Sequence, residues 1–146
     1  MKRTVISITT STTIRQAALT ILHHHIGTLP IVDEEKKLVG IIQLQDLLNL
    51  IMPDFIHLVE DLDFVPDFGA VERHKPDPEI LNQSVSIYMD PACSVGISTG
   101  LLRAAAMIQE HQMRDLPVVD DAGHLVGIAS YVDIGIALMA NWDLST

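Results

Sequence analysis

The sequence predicts an α/β (α+β) fold made of two related units packed sheet to sheet, and three observations carry that expectation. The first is an internal repeat. Leu29-Pro30-Ile31-Val32-Asp33 returns as Leu116-Pro117-Val118-Val119-Asp120, and Leu38-Val39-Gly40-Ile41 returns as Leu125-Val126-Gly127-Ile128. Each pair is 87 residues apart, and the same offset relates Ala17-Ala18 to Ala104-Ala105 and Asp46 to Asp133. A constant offset without gaps marks a duplicated unit. The second observation is composition: 48% of residues are hydrophobic but only 4% aromatic, so the core is built from Ile, Leu, Val and Ala, which suits helices laid on sheets. The third is size. A unit of roughly 50 residues buries too little apolar surface to stand alone, so the copies must share a core about a pseudo-twofold axis. Equivalent turns then face common clefts walled by both copies, where ligands tend to bind.

In chain order, Val5-Ile6-Ser7-Ile8 forms a short strand and residues 9–13 a polar break. Thr13 and Gln16 fit a capping box, in which each side chain accepts from the other residue's backbone N–H. Ile14, Ala17, Ala18, Ile21 and Leu22 follow at helical spacing as one buried stripe, and the helix runs to His25 before Gly27 ends it. The consecutive His23, His24 and His25 diverge by about 100° per residue on a helix and cannot share one metal ion. They form a solvated helix end whose imidazoles complement the dipole. Residues 28–32 are a strand, Asp33-Glu34-Glu35-Lys36-Lys37 a charged turn, and 38–42 the antiparallel return. A helix over 45–52 buries Leu47, Leu48, Leu50 and Ile51 and stops at Pro53. The first unit, 1–53, therefore runs strand, helix, strand, strand, helix.

Residues 54–85 have no internal counterpart. They carry Phe55, Phe64 and Phe68, all the phenylalanines of the chain, and with Ile56, Leu58, Val59 and Leu62 are too apolar for a free tether. A short docked helix is expected over 54–62 and the most flexible point at 73–78. His57, Asp61, Asp63, Asp67 and His74 match no metal-ligand spacing. A helix over 82–89 ends at Asp90-Pro91. The second unit, 86–146, then has a strand at 93–96 with Cys93 in the core, a helix over 99–111, and strands at 116–119 and 125–129. The turn between those strands carries Asp121-Ala122-Gly123, usual hairpin residues. A last helix over 131–140 buries Val132, Ile136 and Leu138, and Trp142 packs back at its end.

Nineteen acids against nine Lys and Arg give a net charge of −10, with no basic stripe, and a phosphate backbone would repel such a chain, so no nucleic-acid partner is expected. The one cysteine can make no internal disulfide and has no second thiol for a metal, which fits a reducing compartment. No apolar run reaches the roughly 18 residues of a membrane helix, and the four residues after the basic start make no signal-peptide core. A cytoplasmic protein without membrane insertion is expected. An enzyme is the least supported class, because no Ser/His/Asp or Cys/His arrangement and no Gly-rich phosphate loop stands out.

The candidate ligand site is Ser130-Tyr131-Val132-Asp133, where the last strand passes into the last helix. The free N–H groups of a first helical turn attract anions, and a hydroxyl with a carboxylate three residues on can bind a polyhydroxylated, phosphorylated ligand. The same pattern also serves as a plain helix cap.

The order strand, helix, strand, strand, helix, with L-P-[IV]-V-D, a charged hairpin, L-V-G-I and an x-x-Asp turn, all twice, resembles a tandem pair of cystathionine-β-synthase (CBS) domains, a Bateman module. The resemblance covers the chain except the linker. It implies two β-α-β-β-α CBS units whose clefts bind adenine nucleotides or adenosyl ligands, a homodimer, and regulation of a separate effector protein. It makes Asp133 the ribose-binding acid and Ser130 the phosphate-side hydroxyl of one cleft, with adenine against Ile26, Gly27 and Thr28 and the first strand at Val5, Ile6 and Ser7. In the other cleft Asp46 takes the ribose facing Met113, Arg114 and Asp115, while Gln43 replaces the usual Ser or Thr and can still donate to phosphate. Only Arg114 stands where the family neutralises phosphate, so AMP or S-adenosylmethionine is favoured over ADP or ATP, for which Mg²⁺ would help. No catalytic cofactor is implied. The alternative is a ligand-independent dimerisation platform acting through the acidic, aromatic linker.

Overall fold

The structure, a computed structural model, describes residues 3–51 and 75–145. The expected helix over 54–62, the stop at Pro53 and the group His57, Asp61, Asp63, Asp67 and His74 lie outside the described residues.

The first half runs β1 (Ile8–Thr9), α1 (Ile14–His24), β2 (Thr28–Val32), β3 (Leu38–Gln43) and α2 (Leu44–Leu48). One helical turn, α3 (Pro78–Leu81), and a 3₁₀ turn, Val85–Ile87, lead to β4 (Asp90–Pro91). The second half repeats the first with β5 (Val95–Gly96), α4 (Leu101–Glu110), β6 (Asp115–Val119), β7 (Leu125–Ser130) and α5 (Tyr131–Met139). Two sheets result, in the orders β1-β2-β3-β4 and β5-β6-β7. In each, a parallel first strand flanks an antiparallel hairpin, with Thr28 opposite Gln43 and Asp115 opposite Ser130. The hairpin register shifts at the same place in both copies, Ile31/Val32 and Val118/Val119.

The adjacent residues Ile41 and Ile42 show how the sheets meet. Alternate residues of a strand face opposite ways. Ile42 packs in a core with Ile14, Leu29 and Ile31, while Ile41 packs in the other core with Val95, Met113, Leu116 and Val118. The first sheet therefore covers its own helix with one face and the second unit with the other. Contacts between a residue and its own counterpart mark the pseudo-twofold axis. Thr28 Oγ1 donates to Asp115 Oδ2 at 3.0 Å, 87 positions away, and Lys37 bridges His124, its counterpart at the other hairpin tip. The reciprocal bonds Leu38 N–H to Gly123 O and Leu125 N–H to Lys36 O, both 3.1 Å, flank that bridge.

Several expectations are corrected. The first strand begins at Ile8 rather than Val5, because β2 pairs only with Ile8 and Thr9. The Thr13 capping box forms, with Thr13 Oγ1 accepting from Gln16 N–H at 3.2 Å and Gln16 Oε1 accepting from Thr13 N–H at 3.0 Å. His25, not Gly27, ends α1 in the left-handed region at φ 53°. Ile14, Ala17 and Ile21 are the buried stripe, whereas Leu22 is 70% exposed and Ala18 half-buried. The α2 helix is shorter than expected and buries no residue fully; Leu47 and Leu50 pack at the edge of the first core, Ile51 is half-buried, and Leu48 is exposed.

The helix expected over 82–89 is broken because this stretch pairs with the start of α1. Ile14 N–H donates to Gln83 O and Val85 N–H to Thr12 O, both at 2.9 Å, and Val85 is fully buried in the first core. Asp90 and Pro91, expected to end a helix, pair instead with Ile41 and Gly40. Gly40 permits that approach: a Cβ there would lie 2.7 Å from Met89 Sδ and 3.0 Å from Asp90 O. Cys93 is half-buried between β4 and β5 rather than in a strand, and burial, aided by the Glu110 carboxylate, pushes its thiol up. In α5 the core side is Ile134, with Leu138 against it; Val132 is 60% and Ile136 58% exposed, and Trp142 stands out at 62%. An almost uniformly apolar helix does not declare by spacing which stripe turns inward.

Candidate functional site

Two cavities lie between the units, and the 87-residue offset relates part of one wall to part of the other. The first, about 400 Å³, includes Val5, Ile6, Ile26, Gly27, Thr28, Ile128, Ser130 and Asp133. It shares His25, Ile26, Gly27, Asp115 and Ser130 with a wider recess of about 850 Å³ that adds Arg114 and Tyr131. The second, about 610 Å³, is lined by Ala92, Cys93, Met113, Ile41 and Gln43, the counterparts of Val5, Ile6, Ile26, Ile128 and Ser130. His24 and His111 also occupy matching positions. Both volumes fall in the range of about 300–1,000 Å³ typical of small-molecule sites.

The local fold explains why these residues converge. At the strand-to-helix turn of each unit, the first helical N–H is held by the other arm of the same hairpin: Tyr131 donates to Arg114 O at 2.7 Å, and Leu44 to Gly27 O at 2.9 Å. The two segments just before β2 and β6 thus clamp the two helix starts. Ser130 Oγ accepts from Asp133 N–H at 3.0 Å, and Asp133 Oδ2 accepts from Ser130 N–H at 3.4 Å. The pair is a helix cap, and it also lines the cavity. At the other turn Asp46 Oδ2 accepts from Gln43 N–H at 2.7 Å. Burial holds the Asp46 carboxyl above the ordinary range despite that bond, and the neighbouring Asp90 carboxyl adds to the effect.

The first cavity brings together Ser130, Asp133, Ile26, Gly27, Thr28, Val5 and Ile6. Ser7 falls elsewhere, in a surface recess with Arg3, Thr9 and Val32. Arg114 and Asp115, expected beside Asp46, lie on the Ser130 side, because Asp115 opens β6 at the axis and bonds Thr28. Of that trio only Met113 joins Gln43, and Asp46 is turned back onto its own helix start rather than onto the cavity wall. His24, His111, Asp90 and Cys93 were not among the expected site residues. The 87-residue offset, extended along every strand and helix end, would have located His111 and Cys93.

The Ser130 cavity has apolar walls from Ile6, Ile26 and Ile128. A hydroxyl and a carboxylate at a helix N-terminus are groups that can hydrogen-bond a polyhydroxylated, anionic molecule. Among the described residues no group of three or more His, Cys, Asp or Glu could hold a metal ion, and no helix is long and apolar enough to cross a membrane.

The family described as CBS domain matches residues 1–53 and 85–139. The crystal structure of CBSX2 of Arabidopsis thaliana in complex with AMP is 25% identical, with a TM-score of 0.68, covering 94% of this chain and 89% of that one. The CBS domain pair of protein MJ0100, in complex with 5′-methylthioadenosine and S-adenosyl-L-methionine, has the same fold at 22% identity, with a TM-score of 0.70 over 97% of this chain and 94% of that one. The chloroplastic CBS domain-containing protein CBSX1 of Arabidopsis thaliana is 32% identical over 123 residues, 81% of this chain and 52% of that protein. The chain spans between 16% and 52% of the length of the curated relatives it matches.

Proposed function

This chain belongs to the CBS domain family, and from that premise we propose that it is a regulatory CBS pair whose Ser130 cleft binds an adenine nucleotide or related adenosyl ligand, AMP above the others. The bound state would be passed to a separate effector protein, with no catalysis of its own. The observation that carries this reading is the convergence of Ser130 and Asp133 with Ile26, Gly27 and Thr28 on one cavity of nucleoside size. The AMP carried by CBSX2 supports the ligand class. AMP suits the charge: Arg114 is the cation at the recess and Asp115 adjoins it, so a triphosphate would need Mg²⁺.

Residues 1–53 and 86–146 act as the two units, with 54–85 between them. The reading includes a homodimer, supported by the apolar side chains Leu102, Val132, Ile136 and Trp142 left exposed along α4 and α5, a surface that association would cover.

A thermal-shift series with AMP, ADP, ATP with and without Mg²⁺, and S-adenosylmethionine tests the ligand. A ligand at 100 times its dissociation constant adds about 2.7 kcal/mol to a state that it alone binds, so the predicted result is a rise of several degrees, largest for AMP. No shift with any of them would favour a ligand-independent dimerisation platform, the reading to which Gln43 in place of a hydroxyl and the exposed α4/α5 face lend support.

A further inference from the structure

The outer helices of the two units carry apolar surfaces of complementary shape. In the first unit Leu19 and Leu22 on α1 and Leu44 and Leu48 on α2 stand exposed. In the second, a groove of about 480 Å³ runs between α4 and α5, lined among others by Ala105, Val132, Gly135, Ile136, Met139 and Trp142. Leu22 and Leu44 share one recess with Tyr131 and Val132, so the two surfaces form one band. Its nine large apolar side chains are each 42–70% exposed. Together they present on the order of 1,000 Å², beyond the ~300–600 Å² of the largest patch on a typical monomer and close to the ~800 Å² that each partner of a stable dimer covers.

The 87-residue offset shows that bulk alternates between the copies. Exposed Leu19 and Leu48 correspond to Ala106 and Gly135, and exposed Val132 and Ile136 correspond to polar Gln45 and Asn49. Gly135 has no reason for being glycine within the chain. A Cβ there would meet nothing within 4 Å and its φ is not left-handed, whereas glycine inside a helix is less stable than alanine. Charge follows the same division. α1 carries Arg15, His23 and His24 and no carboxylate, while α5 and the residues after it carry Asp133 and Asp143 and no basic side chain.

We propose that the band docks a second copy of this chain head to tail: the α1/α2 ridge of each chain enters the α4/α5 groove of the other, with Leu48 seated over the partner's Gly135. The inference rests on the homodimer reading and adds its orientation. Like pairing with like would set ridge on ridge and groove on groove, leaving the kind of void that well-packed interfaces exclude, and would bring α5 against its own charge. Ridge in groove, repeated about one twofold axis, fills both surfaces and closes the assembly.

Disulfide trapping and sedimentation velocity on the full chain, with Cys93→Ser throughout, test this. Leu48→Cys and Gly135→Cys proteins, co-expressed and oxidised, should cross-link to each other, and neither should cross-link to itself. Gly135→Leu should fill the groove and raise the dimer dissociation constant about tenfold or more, with an unchanged helical circular dichroism signal because its Cβ has open space; adding Leu48→Ala should restore the dimer. Self-cross-linking of either cysteine variant, no cross-link between the two, or a Gly135→Leu dimer as tight as the wild type would each overturn the orientation. Cross-linking of like to like would leave the homodimer standing, whereas a wild-type monomer would remove the homodimer and its orientation together.

Discussion

Two aspartates illustrate how single residues divide between stability and function. Asp46 is half-buried beside Asp90 and its folded-state pKa is raised above 3.8, loss of solvent being the largest cause. Its stabilising contribution is therefore complete below 3.8 and is lost as the pH rises through the folded-state value. Asp46→Asn should gain stability relative to the wild type between acid and neutral pH, read from urea unfolding at both; a constant difference would contradict the half-buried carboxyl pair. Asp120 behaves in the opposite sense. It accepts from His124 N–H at 2.9 Å, Ala122 N–H at 3.0 Å and the His124 ring at 3.1 Å, which hold its carboxyl below the ordinary value. Its contribution is present above 3.8 and fades as the pH falls through the folded-state value. Asp33, its counterpart, accepts from Glu35 and Lys37 N–H, both at 2.9 Å. Asp33→Ala should cost about 1–2 kcal/mol in urea unfolding, since two backbone donors lose their acceptor. The repeated L-P-[IV]-V-D motif thus ends in a turn-forming residue, while the S-x-x-D turn supplies the cleft. Both kinds of aspartate were visible in the repeat; that Asp46 faces Asp90 was not, because their proximity depends on a strand pairing with no local signature.

At the scale of elements, the hairpins were the most legible part of the chain. Their alternation and doubled turns constrain pairing twice over, and both copies adopt the same register and the same shift. The outer helices were less legible. In α5 nearly every position is apolar, so sequence spacing offered three inward candidates, Val132, Ile136 and Leu138, of which only Leu138 packs on the core, beside Ile134. Residues 82–91 were misread because local propensity gives way to tertiary pairing: Gln83 and Val85 bond Ile14 and Thr12, and Asp90–Pro91 adds a fourth strand. Gly40 makes that strand possible. Gly40→Ala would force a methyl against the Asp90 carbonyl, and such overpacking typically costs about 1–3 kcal/mol. A melting temperature equal to that of the wild type would show that β4 yields without cost.

For the whole molecule, the duplication made the shared core and the paired clefts predictable, and the self-contacts Thr28–Asp115 and Lys37–His124 realise that symmetry. Arg114 and Asp115 fall on the Ser130 side because the β6–β7 register sets Asp115 opposite Ser130, a consequence that the hairpin reading already contained. The proposed homodimer would cover the α4/α5 face, so Ile136→Glu should convert a dimer to a monomer in sedimentation velocity; a wild-type monomer would remove the dimer from the account. The central claim is that the Ser130 cleft binds an adenosyl ligand through Asp133. Titration of AMP into the wild type and Asp133→Ala, with urea unfolding of both, tests it most directly. The account predicts that the variant folds with a loss of no more than about 1 kcal/mol, typical of a helix-cap change, and no longer binds AMP at that cleft; AMP binding of equal affinity and stoichiometry in the two proteins would contradict it.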